Sequence, residues 1–402
     1  MTIPEVAAAR GSGAPGRSPM GLLAASVFAV AATIHYQTPM LGAMGAEFGA
    51  DAAAVGWVAT LSFGGFLAGI LFLVPLGDRM DKRRLVLAQL SVLIPALLAM
   101  AAAPTLPILA GASFIVGVSA SLCQTIVPIV AELAPPDARG RSLGTVLTAL
   151  FLGILFGRLC GGFVAANVGW RWMYVFGAAV CLALAPFLLR RLPSMPTKTR
   201  LAYWPLMASI ARLPARHPVL RRVAANQFLI GISYGGFWAT LAPMLALLHH
   251  LGPAEAGLMA IPGAAGVFVA RPAGRWTDRR GVIPVVTSGI CVVLAAFVVF
   301  TFAPFSIGAI VGGAVLLDCG LRAIMVANQT HVNTVVPEAR SRFNTVFGVS
   351  VWTGNASGAF LASTALTRSG WPAVCAVAVT ASCLALLLHL RVARGAEPDG
   401  RT

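Results

Sequence analysis

The sequence predicts an all-α membrane protein, with twelve transmembrane helices in two six-helix bundles related by pseudo-two-fold symmetry. Three observations favour this fold class. First, 58% of the 402 residues are hydrophobic and only 10% are charged, whereas soluble proteins are about a quarter charged. Second, the apolar residues form runs long enough to cross a hydrocarbon layer about 30 Å thick. Third, several motifs occur twice, once in each half of the chain.

The twelve predicted spans are numbered here in chain order. They cover residues 20–41, 55–76, 85–103, 108–131, 143–166, 172–189, 223–248, 256–273, 282–302, 307–328, 343–364 and 372–390. Their apolar residues are continuous rather than alternating, which argues against a transmembrane β-barrel. Arg10 and Arg17 precede span 1 as in a signal peptide. Because that run lacks a small-residue cleavage site, we expect it to remain as a membrane helix.

One long basic connection divides the chain into two halves. Residues 1–18 are rich in Gly, Pro, Ala and Ser, and we expect a disordered N-terminal tail. Residues 19–189 are the predicted N-terminal bundle and residues 223–391 the C-terminal bundle. Between them lies a basic cytoplasmic linker, residues 190–222, and residues 392–402 form a C-terminal tail.

The positions of Lys and Arg predict the orientation in the membrane. With the N-terminus inside, the cytoplasmic segments hold 24 of the 29 basic residues, and the outer loops hold only Arg171 and Arg368. The positive-inside rule therefore places both termini in the cytoplasm. Since the net charge of +16 is spread over short loops rather than one soluble face, nucleic acid is not an expected partner.

The two halves share motifs at a nearly constant spacing. The charged loop Gly77–Arg84 is followed about 200 residues later by a looser copy, Gly274–Gly281. Pro136–Arg141 is matched by Pro337–Arg342. The same spacing relates Gly153 to Gly354, Gly157 to Gly358, and Gly169-Trp170 to Gly370-Trp371. Internal repeats of this kind are typical of transporters in which two bundles move about a central site.

The chain resembles the major facilitator superfamily over nearly its whole length. The loop Gly77–Arg84, its copy and the arrangement of six plus six spans carry this resemblance. Tyr36–Leu41 and Arg340–Thr345 are similar to segments of bacterial members that export drugs in exchange for protons. The resemblance implies a multi-pass antiporter of the bacterial inner (plasma) membrane that acts as a monomer, moves a small-molecule substrate by alternating access and is driven by protons.

The chain departs from these efflux members at two positions. Many of them carry an Arg in span 4 near the position of Ser113 or Phe114. In span 5, Arg158 stands where their antiporter signature has Pro.

Three charged residues inside the predicted spans are the strongest candidates for a transport site. They are Arg158 in span 5 and Asp318 and Arg322 in span 10. A charge at mid-membrane depth costs roughly 3 kcal/mol on insertion scales, so each is expected to face a cavity rather than lipid. Arg322 lies one helical turn after Asp318. This spacing fits either a self-neutralising ion pair or a proton-coupling carboxylate whose ionisation depends on burial and on the nearby arginine.

Counting these three charges leaves an alternative function open. Arg158 and Arg322 against Asp318 give a net charge of +1 at mid-membrane depth. An organic anion would supply the missing negative charge. The alternative to proton-coupled efflux is therefore a proton-coupled or exchange transporter of an organic anion, acting in uptake or export.

Other polar and aromatic side chains in the spans are candidates for lining the cavity. They are His35, Tyr36, Gln37, Gln124, Gln227, Asn328, Trp238 and Trp352. His35 is a candidate proton relay because free histidine titrates near neutral pH, although a hydrogen-bonded packing histidine is the commoner case. The two tryptophans are either a substrate wall or packing residues.

A second group of residues is expected to form a cytoplasmic gate. It comprises Gly77, Asp78, Arg79, Arg83, Glu132, Arg139, Arg141, Asp278, Arg279 and Arg340. The resemblance implies that Asp78, Arg79 and Arg83 latch the cytoplasmic side, with a weaker latch at Asp278 and Arg279. Gly77 lets the chain leave span 2, and Asp78 and Arg79 are expected to pair and cap helix ends. We expect Glu132 to pair with Arg139 or Arg141.

The remaining motifs indicate packing and exclude other classes of protein. Gly153, Gly157 and Gly161 lie four residues apart on one stripe of span 5, as in close helix packing, and are compatible with a hinge; Gly354 and Gly358 repeat the pattern. No nucleophile, phosphate-binding or metal motif is present, so an enzyme, a cofactor and ATP drive are not expected. The seven cysteines lie inside apolar runs without paired spacing, so neither disulfides nor a metal site is expected. The expected partners are a small-molecule substrate, protons and the lipid bilayer.

Overall fold

The computed structural model describes residues 20–77, 79–135, 138–195, 203–335 and 340–395. Within these residues the regular elements are all helices, and no strand occurs. Asp78, the side chains of Arg139 and Arg340, and the two predicted tails before residue 20 and after residue 395 lie outside the described part of the chain.

The described helices include all twelve predicted spans. Spans 1 to 10 are Met20–Phe48, Ala52–Leu76, Lys82–Ala102, Leu106–Leu133, Arg139–Asn167, Trp170–Arg191, Pro218–His249, Pro253–Arg280, Val282–Phe300 and Ile307–Val335. Spans 11 and 12 form one continuous run, Arg340–Gly395, which is divided at Gly370, where φ is 72°. The face of the protein at which span 1 begins is called the near face below, and the opposite face is called the far face.

Several spans are interrupted, and prolines explain two of the breaks. Span 1 divides at Tyr36 into Met20–His35 and Gln37–Phe48. Pro39 cannot donate a hydrogen bond to the carbonyl of His35, so the helix is weakened at this point. Span 8 divides into Pro253–Leu258, Ala260–Gly263 and Gly266–Arg280, with Pro262 acting on Leu258 in the same way. Span 2 contains a π-helical turn at Gly69–Leu73, an insertion that often marks a functional site.

Each half of the chain has its own hydrophobic core. Met40, Phe66 and Tyr174 are fully buried in the core of the first half. Phe237 and Phe300 occupy the core of the second half, where their rings stack with centroids 4.4 Å apart. The two cores divide largely by half, as expected of two bundles that move relative to each other.

The sequence repeat corresponds to a repeated packing arrangement. Gly153 faces the backbone of Phe28, Gly157 that of Ala32, Gly354 that of Phe228 and Gly358 that of Ile232. A Cβ at any of these glycines would overlap the facing backbone. Span 5 therefore packs on span 1 as span 11 packs on span 7, with the close approach that small residues permit in membranes.

The tight turns before spans 6 and 12 also repeat. Gly169 and Gly370 both have positive φ, 105° and 72°, which favours glycine. The following tryptophans each anchor their helix by an indole N–H. Trp170 donates to Glu47 Oε2 at 2.5 Å, and Trp371 donates to the Phe300 carbonyl at 2.6 Å.

The linker contains a helix that the sequence did not indicate, Tyr203–Arg216. The Tyr203 hydroxyl donates to the Phe72 carbonyl of span 2 at 2.9 Å. Leu213 packs in a cluster with Leu220 and Phe343 of the second half. The linker helix thus contacts both halves at the near face. Residues 190–222 also include the end of span 6, up to Arg191, and the start of span 7, from Pro218.

The second charged motif is helical, and the expectation of a loop there was wrong. Span 8 continues through Gly274 to Arg280 and ends at Gly281, where φ is 83°. The Gly281 N–H closes the last turn on the Thr277 carbonyl at 2.9 Å. In the first half, by contrast, span 2 ends at Leu76, and Asp81 starts the next helix by accepting from the Arg83 N–H at 2.9 Å. The cap of the next helix is Asp81 rather than Arg79, and the expectation for Asp78 lies outside the described residues.

Candidate functional site

The three mid-span charges lie together at the boundary between the two halves. Asp318 is 1% exposed and Arg158 is 4% exposed, and their charges are close enough to interact. Arg322 Nε lies 3.7 Å from Asp318 Oδ2. Spans 5 and 10 therefore bring the three residues into one buried cluster, called the central cluster below.

The Asp318 carboxylate is held by a helix end as well as by Arg322. Its Oδ2 accepts a hydrogen bond of 3.1 Å from the N–H of Gly266, the first residue after the second break of span 8. An N–H at this position has no partner within its own helix, and the helix dipole favours a carboxylate there. A Cβ at residue 266 would overlap Asp318 and Arg322. Asp318 Oδ1 is buried without a hydrogen-bond partner.

Each arginine of the cluster lies over an aromatic ring of the opposite half. Arg158 Cζ is 3.6 Å from the centroid of the Trp238 ring in span 7. Arg322 Cζ is 4.6 Å from the centroid of the Phe151 ring in span 5. Contacts of this type contribute about 0.5–2 kcal/mol, more where water is excluded. Each half thus contributes one arginine to a contact with an aromatic ring of the other half.

A small cavity of about 30 Å³ lies beside the two arginines. Its lining consists of Phe151, Ile154, Leu155 and Arg158 from span 5 and Tyr234, Ala260, Gly263, Ala264, Val267 and Arg322 from the second half. A cavity of this size holds about two water molecules. The Nε atoms of Arg158 and Arg322 are buried without a hydrogen-bond partner. The cavity is therefore lined by cationic groups whose donors are not all used.

The predicted residues of span 1 separate into two groups. His35 Nδ1 and Gln37 Nε2 are buried without hydrogen-bond partners, and His35 is close enough to Arg158 for their charges to interact. Tyr36 instead packs against Tyr174, with ring centroids 6.3 Å apart, and faces Gly161. Tyr36 is thus in a packing position, while His35 lies near the central cluster.

Gln227 and Asn328 lie in a different network. Asn328 Nδ2 donates to Asn226 Oδ1 and to Gln227 Oε1, both at 3.3 Å. This network joins spans 7 and 10 within the second half, beside a cavity of about 400 Å³ that Arg222 also lines. Gln124 is half-buried in span 4, and the structure does not place it in the central cluster.

Trp352 belongs to the contacts between the two halves. Its ring lies 4.3 Å from that of Phe66 and 5.8 Å from that of Phe63, centroid to centroid. Span 11 thus packs against span 2 at this level. Trp352 is part of the interface, whereas Trp238 is part of the central cluster.

The halves meet closely toward the far face. The Ala53 N–H donates to Thr367 Oγ1 at 2.7 Å, and the rings of Trp57 and Phe360 lie 5.1 Å apart. In spans 5 and 8, Gly162 faces Gly257 with no room for a side chain between them. Spans 2 and 11, and spans 5 and 8, are therefore in contact near their far ends.

The loop at the near face makes its described contacts with span 6 of the first half and with the start of the linker. The Arg83 guanidinium donates to the Leu189 carbonyl at the end of span 6. The Asp81 carboxylate accepts from Ser194 Oγ at 2.6 Å and from the Met195 N–H at 3.1 Å. The Ser194 hydrogen bond is the largest of the effects that lower the pKa of Asp81 below its ordinary value. Gly77 has a φ of −63°, so it does not adopt the left-handed conformation that would favour glycine here.

Glu132 forms an ion pair with Lys82, which was not among the predicted gate residues. Span 3 begins at Lys82 and brings it beside the end of span 4. The side chain of Arg139 lies outside the described residues, so its pairing with Glu132 stays a prediction. Arg79 and Arg141 are exposed. Asp278 and Arg279 are exposed on the helical end of span 8, and the structure gives neither an ion pair within the described chain.

Three residues that contact the central cluster or line its cavity were not predicted. Phe151 lies seven residues before Arg158, two turns along the same helix face, so helical spacing alone would have indicated it. Tyr234 lies one turn before Trp238 in the same way. Gly266 carried no such signal, because its role depends on a helix break and on the approach of another span.

Comparison with known proteins gives consistent matches along the chain. A family model described as Major Facilitator Superfamily matches residues 23–223 and 223–402. The chain is 30% identical to the uncharacterized transporter YgaY of Escherichia coli O157:H7 over 361 residues, 90% of this chain and 92% of that protein. It is 34% identical to a probable transporter of Streptomyces coelicolor over 372 residues, 91% of this chain and 86% of that protein.

Solved structures share the architecture at low sequence identity. A bacterial homologue of the human lysosomal transporter Spinster, in an inward-facing and occupied conformation, matches with a TM-score of 0.77 at 16% identity. The match covers 94% of this chain and 98% of that one. At this level of identity the likeness shows a common fold and nothing about substrate.

Proposed function

Because the chain belongs to the Major Facilitator Superfamily, we propose that it exports a small organic molecule in exchange for protons, with Asp318 as the proton-coupling group. In this proposal the bilayer is the bacterial inner membrane, and both termini face the cytoplasm. The moving units are residues 19–189 and 223–391, which rock about the central cluster. The resemblance of Tyr36–Leu41 to segments of efflux members supports the direction of transport.

The observation that carries this proposal is the set of contacts made by the Asp318 carboxylate. It accepts the Gly266 N–H of span 8 and lies 3.7 Å from Arg322, whose guanidinium in turn covers Phe151 of the other half. The Gly266 N–H and Arg322 both stabilise the charge of an ionised Asp318. A proton on Asp318 removes that charge, so it weakens the connection from span 8 through span 10 to span 5.

These contacts link proton binding to the position of the two halves. The far ends are in contact here, so with cytoplasmic termini this arrangement is closed to the outside. Ionised Asp318 belongs to this arrangement, and protonated Asp318 belongs to one in which the far ends have separated. A proton taken up from outside is then released to the cytoplasm when the far ends close. A proton shifts the equilibrium between these two arrangements only to the extent that it binds Asp318 more tightly in one of them than in the other.

The packing of the glycine stripes supports a rocking motion. Span 5 contacts span 1 through Gly153 and Gly157, and span 11 contacts span 7 through Gly354 and Gly358. Two of these contacts lie within the first half and two within the second, so the stripes keep each bundle rigid. In this proposal motion occurs between the halves, at spans 2 and 11 and at spans 5 and 8.

The experiment begins with a thermal-stabilisation screen of purified protein against organic anions, sugars, amino acids and cationic drugs. The compound that stabilises most is then followed in proteoliposomes with an imposed pH gradient, comparing wild type with Asp318→Asn. We expect the variant to lose accumulation against a gradient and to retain downhill exchange, because Asn cannot take up the proton. Asp51→Asn, at an exposed acid outside both the cluster and the gate, is the matched control and should accumulate the compound normally, since Asn also caps the helix. Gradient-driven accumulation by Asp318→Asn at the wild-type rate would remove Asp318 from the coupling role.

A further inference from the structure

We propose that the central cluster is a carboxylate-binding site, in which Arg158 and Arg322 hold the acid group of a small organic anion between the two halves. This inference rests on the proposed function, because it names the substrate class of that site. The acid group would occupy the cavity of about 30 Å³ beside the two arginines.

The charges of the cluster favour an anion. Arg158 and Arg322 carry two positive charges against the single negative charge of Asp318. The described lining of the cavity contains both arginines and no acidic residue. An uncompensated charge at this depth is costly, and a bound carboxylate would remove that cost. A cation in the same place would increase it.

The geometry of the arginines leaves them able to bind a carboxylate. Trp238 covers the face of the Arg158 guanidinium at 3.6 Å, and Phe151 covers that of Arg322 at 4.6 Å. Stacking occupies the faces of the guanidinium groups and leaves their N–H edges for in-plane hydrogen bonds. Arg158 is 4% exposed and its Nε has no partner. Charge-assisted, bidentate hydrogen bonds to a carboxylate are among the strongest that such edges make.

The groups packed around the site favour an aromatic acid over a bare ion. Phe151, Tyr234 and Trp238 supply ring surfaces next to the arginines. Acetate is small enough for the present cavity, whereas benzoate requires one of these rings to move. Because spans 5 and 10 belong to different halves, a ligand held by both arginines bridges the two units that rock. His35 is a further titratable group close to Arg158, and it adds no negative charge.

The test is isothermal titration of the purified full-length protein with sodium acetate, sodium benzoate, sodium chloride and tetraphenylphosphonium chloride at fixed pH and ionic strength. We expect benzoate to bind more tightly than acetate and both to bind more tightly than chloride. Arg158→Gln and Arg322→Gln should each weaken benzoate binding by at least about tenfold, since each removes a charge and a bidentate donor. Arg158→Lys keeps the positive charge and should weaken benzoate binding by a smaller factor. This variant keeps the test possible if a glutamine variant does not fold.

Two further variants separate this inference from the proposed function. Arg171→Gln is the matched control, because Arg171 also stacks on a tryptophan, Trp170, at 4.4 Å but lies outside the cavity lining; it should leave benzoate affinity unchanged. Asp318→Asn should keep benzoate binding, because both arginines remain, while proton-driven transport is lost. Normal transport by Asp318→Asn with intact benzoate binding would overturn the proposed function alone. Three results would overturn the carboxylate site. They are no binding of either carboxylate, binding of chloride as tight as that of benzoate, and preferential binding of tetraphenylphosphonium.

Discussion

Substituting Gly157 by Ala tests how tightly span 5 is packed on span 1. A Cβ at Gly157 would lie 2.6 Å from the Ala32 carbonyl oxygen and 2.9 Å from Ala32 Cα. Ordinary contact distances begin near 3.4 Å, so the two helices must separate by roughly 0.5–0.8 Å. Overpacking of this kind costs about 1–3 kcal/mol, while Ala in place of Gly in a helix returns at most about 1 kcal/mol. We therefore expect a net loss of up to about 2 kcal/mol.

The assay is thermal unfolding in detergent, followed by tryptophan fluorescence, with a matched glycine as control. Gly144 lies in the same span with nothing within 4 Å of its hypothetical Cβ. Gly144→Ala should keep or raise the melting temperature, whereas Gly157→Ala should lower it by a few degrees. The second half offers the same comparison, with Gly358 facing Ile232 and Gly348 open. Equal melting temperatures for the two members of a pair would refute the packing argument.

Two further predictions concern the near face. Asp81→Asn should lower the melting temperature by a constant amount between about pH 5 and pH 8. The hydrogen bond from Ser194 lowers the pKa of Asp81 in the folded protein. The ionised carboxylate therefore stabilises the fold above the ordinary pKa of about 3.9, and this stabilisation is lost as the pH falls through the lower pKa of the folded state. Melting curves that still differ below about pH 3 would contradict this. Glu132→Gln should cost up to about 3 kcal/mol, because it leaves the buried ammonium of Lys82 without its partner. The double variant Lys82→Met with Glu132→Leu should recover most of that loss in the same melting experiment, and a double variant no more stable than Glu132→Gln would count against the pair.

The fold was largely predictable, because a membrane restricts what a backbone can do. Backbone hydrogen bonds must be closed within each segment in hydrocarbon, so long apolar runs such as 307–328 are helices across the membrane. The 201-residue spacing between Gly157 and Gly358 also predicted matched packing, and both glycines face a backbone at the same place in their halves.

Charge density alone did not distinguish a loop from a helix end. Gly77–Arg84 and Gly274–Gly281 have similar composition, yet only the first is a loop. The residue types do not explain the difference, because an Asp stands four residues after the Gly in both motifs. Asp81 caps a new helix in the first motif, whereas Asp278 lies within a helix that continues to Gly281.

The central cluster was predictable along each helix but not between helices. The spacing of Asp318 and Arg322 placed them on one face, and their separation of 3.7 Å follows from it. The position of Arg158 over Trp238 depends on how spans 5 and 7 approach, which no local pattern specifies. The Gly266 hydrogen bond depends in addition on a helix break, and the Lys82–Glu132 pair on the approach of spans 3 and 4.

The most direct test of the account is the distance between the far ends of the two halves as Asp318 changes its charge. Spin labels at Ala50→Cys and Arg368→Cys, in a background with the seven native cysteines replaced, would report that distance by double electron–electron resonance at about pH 5 and about pH 9. We predict that the protein with Asp318 gains longer distances at low pH, and that Asp318→Asn shows those longer distances at both pH values. A pH response in Asp318→Asn equal to that of the Asp318 protein, or no response in either, would contradict the link between Asp318 and the movement of the halves.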